Sequence, residues 1–193
     1  MSTQTESVEL VGEEVAANVA RAALFAALTG AFAYVSFPNP VSPVEITLQV
    51  LAVFLAGIFL GPVWGGASLT LYLAAGALGA PVFSQGTAGV APLLGPTAGY
   101  LWSFPLAALA TGFVVHGGTS LRDPSAVGVG RLVAGMVAGT VVIYLLGTLW
   151  LSWSNNLGLV EAFLLGSVAF LPFEALKMAA AVGVVRSEAV RAR

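Results

Sequence analysis

Leu171-Pro-Phe-Glu-Ala-Leu-Lys-Met-Ala-Ala-Ala-Val-Gly-Val-Val-Arg186 is an apolar run that carries an acid and a base in its interior. Read as one straight helix from Glu161 to Arg186, it would rise about 38 Å, too long for a bilayer core of about 30 Å without strong tilt. Pro172 offers a break, because proline belongs in a first helical turn, where its missing N–H costs least. The reading is therefore a short helix over about 159–170 followed by a spanning helix from 172 onward.

Working outward, the rest of the chain has the same character. Of 193 residues, 58% are hydrophobic and 8% charged, against roughly 25% charged in a soluble domain. Spanning segments fall at about 16–36, 47–62, 65–80, 97–116, 130–153 and 172–190. The expectation is an all-α integral membrane protein: six transmembrane helices in one domain over 16–193, preceded by an acidic tail over 1–15. That tail holds Glu6, Glu9, Glu13 and Glu14 and lacks the basic start of a secretory signal. Arg21, Arg122, Arg131, Arg186, Arg191 and Arg193 fall on one side of such a bundle, and the opposite loops carry no Lys or Arg. The positive side is expected to be the cytoplasm, with both termini in it.

Composition also excludes functions. No cysteine and a single histidine, His116, leave no soft-ligand set for a metal. Seven basic residues scattered along the chain form no patch that would neutralise a phosphate backbone, so nucleic acid is not expected. Gly128, Gly130 and Gly135 miss the dinucleotide spacing, and no Walker-type loop is present, so a transporter of this sequence brings no ATPase of its own. His116, at the inner end of the fourth span, reads as an interface residue and not a proton relay.

The outer connections are specific. Ser36-Phe-Pro-Asn-Pro-Val-Ser-Pro-Val-Glu45 has prolines at 38, 40 and 43, which predict an extended strap. Glu45 reads as a solvated loop carboxylate. From Gly79 to Gly99 the chain is broken by glycine and proline yet stays apolar; irregular backbone at membrane depth survives only against protein or a cavity, which predicts a re-entrant lid.

Glu174 and Lys177, three residues apart on one helical face, are the two ionisable side chains well inside a span. Intramembrane charge is costly and marks functional sites; an internal ion pair that only joins helices is the other reading. Phe170 and Phe173 flank the pair. Thr47, Gln49, Gln85, Thr87, Thr97, Tyr100, Asn155 and Asn156 are further candidates to line a pocket, though Thr or Tyr at a helix start also serves as a cap or interface anchor. Ala23, Ala27 and Ala31 repeat at spacing four beside Ala22, Ala26 and Gly30, which allows close helix approach, either inside the bundle or to a partner membrane protein.

Pro43-Val-Glu-Ile-Thr-Leu-Gln-Val-Leu-Ala52, Gly57-Ile-Phe-Leu-Gly-Pro62, Leu71-Tyr-Leu-Ala-Ala-Gly-Ala-Leu-Gly-Ala-Pro-Val-Phe83 and Leu94-Gly-Pro-Thr-Ala-Gly-Tyr-Leu101 follow one another in that order. Together they resemble the BioY family, the biotin-binding S subunits of energy-coupling factor transporters, over about residues 20–185. The resemblance implies high-affinity capture of biotin from outside, with no cofactor. It also implies reorientation of the subunit on docking to a membrane coupling protein and two ATPases, for which the Ala23/Ala27/Ala31 stripe resembles the docking face. The family's Pro-Gly-Asp-x-x-Lys pattern falls on Pro172, Glu174 and Lys177, with Phe173 replacing the glycine and Glu174 the aspartate. Glu174 would then accept from the ureido N–H groups, Lys177 would donate or balance charge, and the aromatics would cover the thioether ring. Gly95, Pro96, Thr97, Gly99 and Tyr100 match the ligand-covering loop. The departures at Phe173 and Glu174 leave a same-fold subunit for another vitamin as an alternative; an intramembrane enzyme using Glu174 lacks a nucleophile, a metal set or a second acid.

Overall fold

A computed structural model describes residues 12–39, 42 and 44–187. Most of the acidic tail, Pro40 and Pro43 of the strap, and Arg191 and Arg193 lie outside the described residues. In chain order the elements are α1 (Glu13–Ala33), β1 (Ser36–Phe37), β2 (Ile46–Thr47), α2 (Gln49–Ala77), α3 (Ala91–Leu94), α4 (Ala98–His116), α5 (Val129–Asn155), α6 (Leu159–Gly166) and α7 (Leu171–Arg186). The helical architecture agrees with the sequence reading, apart from one small ribbon. The extended strap pairs its ends antiparallel, Ser36 opposite Thr47 and Phe37 opposite Ile46.

Five stretches are long and apolar enough to cross a membrane: α1, α2, α4, α5 and the α6–α7 run. One of them counts twice. A straight helix of 29 residues would be about 43 Å long, yet the Gln49 amide donates to the Tyr72 hydroxyl at 2.5 Å across 23 positions. The chain therefore doubles back, and the bundle is traversed six times. The turn falls at Gly61–Pro62, earlier than the 62–65 gap between the expected spans. Gly61 sits at φ 73°, ψ −176°, a conformation open essentially to glycine. Pro62 follows it and ends the first arm's hydrogen bonding.

His116 completes that turn. Proline at 62 removes the N–H that the Ile58 carbonyl would receive four residues on, and His116 Nε2 lies 2.9 Å from that oxygen instead. The Arg122 backbone N–H donates to Nδ1 at 3.0 Å, which places the ring proton on Nε2 and aims it at Ile58. His116 is 1% exposed, so its reading as an interface residue is corrected: it is an internal strut between α4 and the α2 turn. Replacing it by alanine leaves a buried carbonyl unpaired, a loss of roughly 1–3 kcal/mol. The expected result is a fall in the unfolding temperature of the detergent-purified protein.

The α6–α7 connection also differs in detail. The helix breaks at Ser167 (φ −132°, ψ −60°) and not at Pro172, which sits in the first turn of α7 as expected. The break is fixed from outside the segment. Tyr100 Oη donates to the Gly166 carbonyl at 2.9 Å, and the Thr148 and Ser167 hydroxyls pair at 2.8 Å.

Two apolar clusters fill the interior, one around Tyr72, Phe83, Phe104 and Ile143, the other around Phe54, Ile58, Leu132 and Met136. The outer faces are apolar too. Along α5, Val133, Val137, Val141, Leu145, Leu149 and Trp153 are all exposed, a surface that fits lipid and not water. At the end that holds the α2 turn, Arg131 donates to the Val114 carbonyl at 2.9 Å, and Arg186 donates to the carbonyls of Ser125 and Val127. These cations satisfy helix-end and loop carbonyls in the manner expected of basic residues at C-termini.

Candidate functional site

The end of the bundle opposite the arginines encloses a cavity of about 390 Å³. Each wall comes from a different part of the sequence. The strap and the first arm of α2 bring Glu45, Thr47 and Gln49; the 78–97 segment brings Phe83, Ser84, Gln85, Thr87 and Pro92; α4 brings Tyr100 and Phe104; α5 brings Tyr144; α7 brings Glu174 and Lys177.

At the base lies the ion pair. Lys177 Nζ donates to Glu174 Oε1 at 2.8 Å, and the two residues are 5% and 3% exposed. Among the described residues this is the one salt bridge. The pair is incomplete as a purely structural device. Glu174 Oε2 and the Tyr144 hydroxyl beside it on α5 are buried and interact electrostatically, yet neither has a partner within hydrogen-bond distance. An ammonium has three donors, and Glu174 occupies one of them. Buried polar atoms are nearly always paired, so such a cluster calls for a further group that offers both donors and acceptors. An apolar groove between α5, α6 and α7, lined by residues such as Leu145, Phe163 and Met178, meets the other side of Glu174 and Tyr144.

Above the pair, Gln49 is held by two bonds: its amide N–H₂ donates to Tyr72 Oη, and its carbonyl accepts from Thr47 Oγ1 at 2.9 Å. Phe83 closes the apolar side, edge-on to Tyr72 at 5.5 Å. The cavity is thus mostly apolar with a few fixed polar groups, and its volume lies within the usual range of about 300–1,000 Å³ for small-molecule sites.

Of the residues singled out in the sequence, Thr47, Gln49, Gln85, Thr87, Thr97, Tyr100, Phe170, Glu174 and Lys177 all line this one cavity. Phe173 does not. It is 37% exposed and absent from the lining, although it stands one helical turn from both Phe170 and Lys177. Asn155 and Asn156 are absent from the lining as well; the Asn155 amide donates to the Leu151 carbonyl at 3.1 Å, and Asn156 terminates α5 in the left-handed conformation.

Glu45 is the principal correction. It is half-buried and engaged by protein groups: its carboxylate accepts from Ser84 Oγ at 2.5 Å, from the Gln85 amide and from Ser36 Oγ at 3.2 Å, and it lines the cavity. Tyr144 is a cavity residue that the sequence does not reveal. A tyrosine in an apolar span carries no local signal that distinguishes a cavity wall from a lipid face.

The alanine rows of α1 separate cleanly. Ala22, Ala26 and Gly30 are buried against the bundle, where Ser68 Oγ donates to the Ala22 carbonyl at 2.7 Å, while Ala23, Ala27 and Ala31 are exposed. The stretch from Gly79 to Gly99 is less irregular than expected: it contains a 3-10 turn at Ser84–Gly86, the short α3 and the start of α4 at Ala98.

Several known proteins are similar to this chain along most of its length. A probable biotin transporter BioY of Pyrococcus horikoshii is 39% identical over 167 residues, covering 86% of this chain and 93% of that protein. The biotin transporter BioY of Thermotoga maritima is 35% identical over 161 residues, with 83% and 89% covered. The crystal structure of the S-component for biotin from an ECF-type ABC transporter superposes with a TM-score of 0.80 at 26% identity, over 95% of both chains. The model of the BioY family matches residues 2–193. With the motifs of α2 and α4, the helical membrane fold and essentially the whole length in agreement, this chain belongs to the BioY family.

Proposed function

We propose that this protein captures biotin at the Glu174–Lys177 cavity and is the substrate-specific S component of an ECF-type transporter, a transport subunit and not an enzyme. The observation that carries the reading is the buried pair at the base of the cavity, with Glu174 Oε2 beside the Tyr144 hydroxyl but outside hydrogen-bond distance of any group. The ureido ring of biotin presents two N–H donors and one carbonyl. A carboxylate accepts from such N–H groups through charge-assisted bonds, stronger than neutral ones, while the free donors of Lys177 serve an acceptor of the same ligand. Tyr100, Phe104 and Phe170 supply apolar walls for the thioether ring and the aliphatic tail.

In this reading the cavity end faces outward, the segment from Gly79 to Gly99 is a re-entrant lid, α6 is a short outer helix, and the arginine end with both termini is cytoplasmic, as the positive-inside rule requires. Phe173, where the family pattern has glycine, faces outward from the helix and leaves the cavity unobstructed; Glu174, one methylene longer than aspartate, reaches further into it.

The test is equilibrium binding of radiolabelled biotin to the detergent-purified protein. Stoichiometric, sub-micromolar binding is expected, equivalent to at least about 8 kcal/mol. No biotin binding together with tight binding of a different vitamin would replace this reading by the same-fold alternative.

The exposed Ala23/Ala27/Ala31 row is proposed as the docking face for the membrane coupling protein that, with two ATPases, completes the transporter. A flat row of small side chains lets a second helix approach closely. Ala27→Trp is expected to leave biotin affinity unchanged while vesicles holding the full complex lose uptake. Normal uptake by that variant would remove this face from consideration.

A further inference from the structure

The strap and the 78–97 segment meet at one side chain, and what holds each part of that segment in place differs. Its rear is anchored to the bundle: Trp102 Nε1 donates to the Leu93 carbonyl at 2.9 Å, Trp150 Nε1 to the Gly95 carbonyl at 2.9 Å, and Ser154 Oγ to the Pro96 carbonyl at 3.2 Å. Its tip is closed mainly upon itself. Phe83 N donates to Thr87 O, Gly86 N to Phe83 O and Thr87 N to Ser84 O, at 3.1, 3.0 and 3.2 Å. At its end, Gly89 N donates to the Gly76 carbonyl of α2 at 2.7 Å. The polar ties from tip to strap are the Glu45 carboxylate, which accepts from Ser84 Oγ on Oε2 and from the Gln85 amide on Oε1, and Tyr34 Oη, which donates to the Pro81 carbonyl at 2.6 Å. Gln85 also sits at φ 55°, a left-handed conformation costly to a residue with a Cβ. The bond to Glu45 is what this conformation delivers.

We infer that Glu45 is a positioning residue that clasps the lid tip to the strap and thereby sets the rate at which the site exchanges its ligand. This rests on the reading of the cavity as a biotin site, but the clasp itself does not need a ligand. Both carboxylate oxygens are engaged by lid donors, while Ser36 on β1 holds the same group from behind. Charge-assisted bonds of this kind are the strong ones, and their loss frees a rigid tip to swing about its anchored rear. Phe83 packed on Tyr72, the Tyr34 hydroxyl on the Pro81 carbonyl and the Gly89 N–H on the Gly76 carbonyl of α2 are the other ties on the tip.

The test has two readouts on the full-length protein. Without ligand, hydrogen exchange of backbone amides over 82–89 is expected to quicken about tenfold in Glu45→Ala, as loss of a charged hydrogen bond implies. The lid-side double variant Ser84→Ala/Gln85→Ala is expected to match it, and adding Glu45→Ala to that pair is expected to change little further, since the residues act as one unit. With biotin, association and dissociation rates are both expected to rise in these variants, leaving affinity less altered than either rate. Unchanged exchange in the 82–89 amides would mean that the other ties, at Phe83, Tyr34 and Gly89, hold the lid without Glu45 and would overturn the clasp. Faster dissociation at an unchanged association rate, with exchange unaltered, would make Glu45 a ligand contact and overturn it equally. If the wild type binds no biotin, the functional reading fails, while the exchange experiment still decides the clasp. Should Glu45→Ala fail to fold, the lid-side double variant decides the same question.

Discussion

Lys177→Ala is expected to abolish high-affinity biotin binding and to destabilise the protein severely. Both ions of the pair are buried, at 2.8 Å separation, and removing one member leaves the other as an uncompensated charge in a low-dielectric interior. Breaking a buried pair in this way costs roughly 3–5 kcal/mol. Glu174→Ala is expected to do the same from the other side. Loss of binding in a destabilised protein says little by itself, so the decisive variant removes both charges at once. Glu174→Leu/Lys177→Met replaces the pair with apolar groups of similar volume, an exchange that is often neutral or stabilising. Its unfolding temperature should therefore recover toward the wild-type value. Biotin affinity should not recover, because each lost charge-assisted bond weakens binding by about ten- to a hundredfold. Thermal unfolding and radiolabelled biotin titration on the same preparations separate the two effects. Wild-type affinity in the double variant would reduce the pair to a structural tie and sink the proposed site.

Gly112→Ala should prevent the bundle from assembling. Gly112 lies where α4 crosses the α2 turn, and a Cβ there would meet Pro62 N at 2.5 Å, the Gly61 carbonyl carbon at 2.6 Å and the Gly57 carbonyl oxygen at 2.9 Å. All three are backbone atoms, so no side chain can rotate aside. Overpacking costs roughly 1–3 kcal/mol where side chains give way; here two helices would have to separate. Gly57 presents the same contact from the other helix, its Cβ meeting the Ala108 carbonyl at 2.5 Å. The expected outcome is loss of monodisperse protein on detergent extraction, or a large fall in unfolding temperature. Gly183→Ala is the control: nothing lies within 4 Å of that Cβ, and alanine in a helix interior is favoured over glycine by about 0.5–1 kcal/mol. A Gly112→Ala protein as stable as Gly183→Ala would show that α2 and α4 do not touch backbone to backbone.

The amino-acid sequence by itself determined the properties that depend on neighbours along the chain. Apolar runs of spanning length define a membrane bundle because an unpaired backbone is intolerable in lipid. Prolines at 38, 40 and 43 forbid a helix in the strap, Pro172 begins one, and the three-residue interval between Glu174 and Lys177 puts them on one face whatever surrounds them. The tertiary structure alone decided which distant groups meet. Glu45 lies 39 and 40 positions from Ser84 and Gln85, and whether a carboxylate in a proline-rich loop faces water or a lid depends on how two connections fold over one another. The sharpness of the turn at Gly61 and the service of His116 to the carbonyl that Pro62 orphans likewise arise from α4 packing on α2. Helical phase is a local property carried by the covalent chain, whereas partnership across tens of residues is fixed only when close packing chooses which surfaces touch.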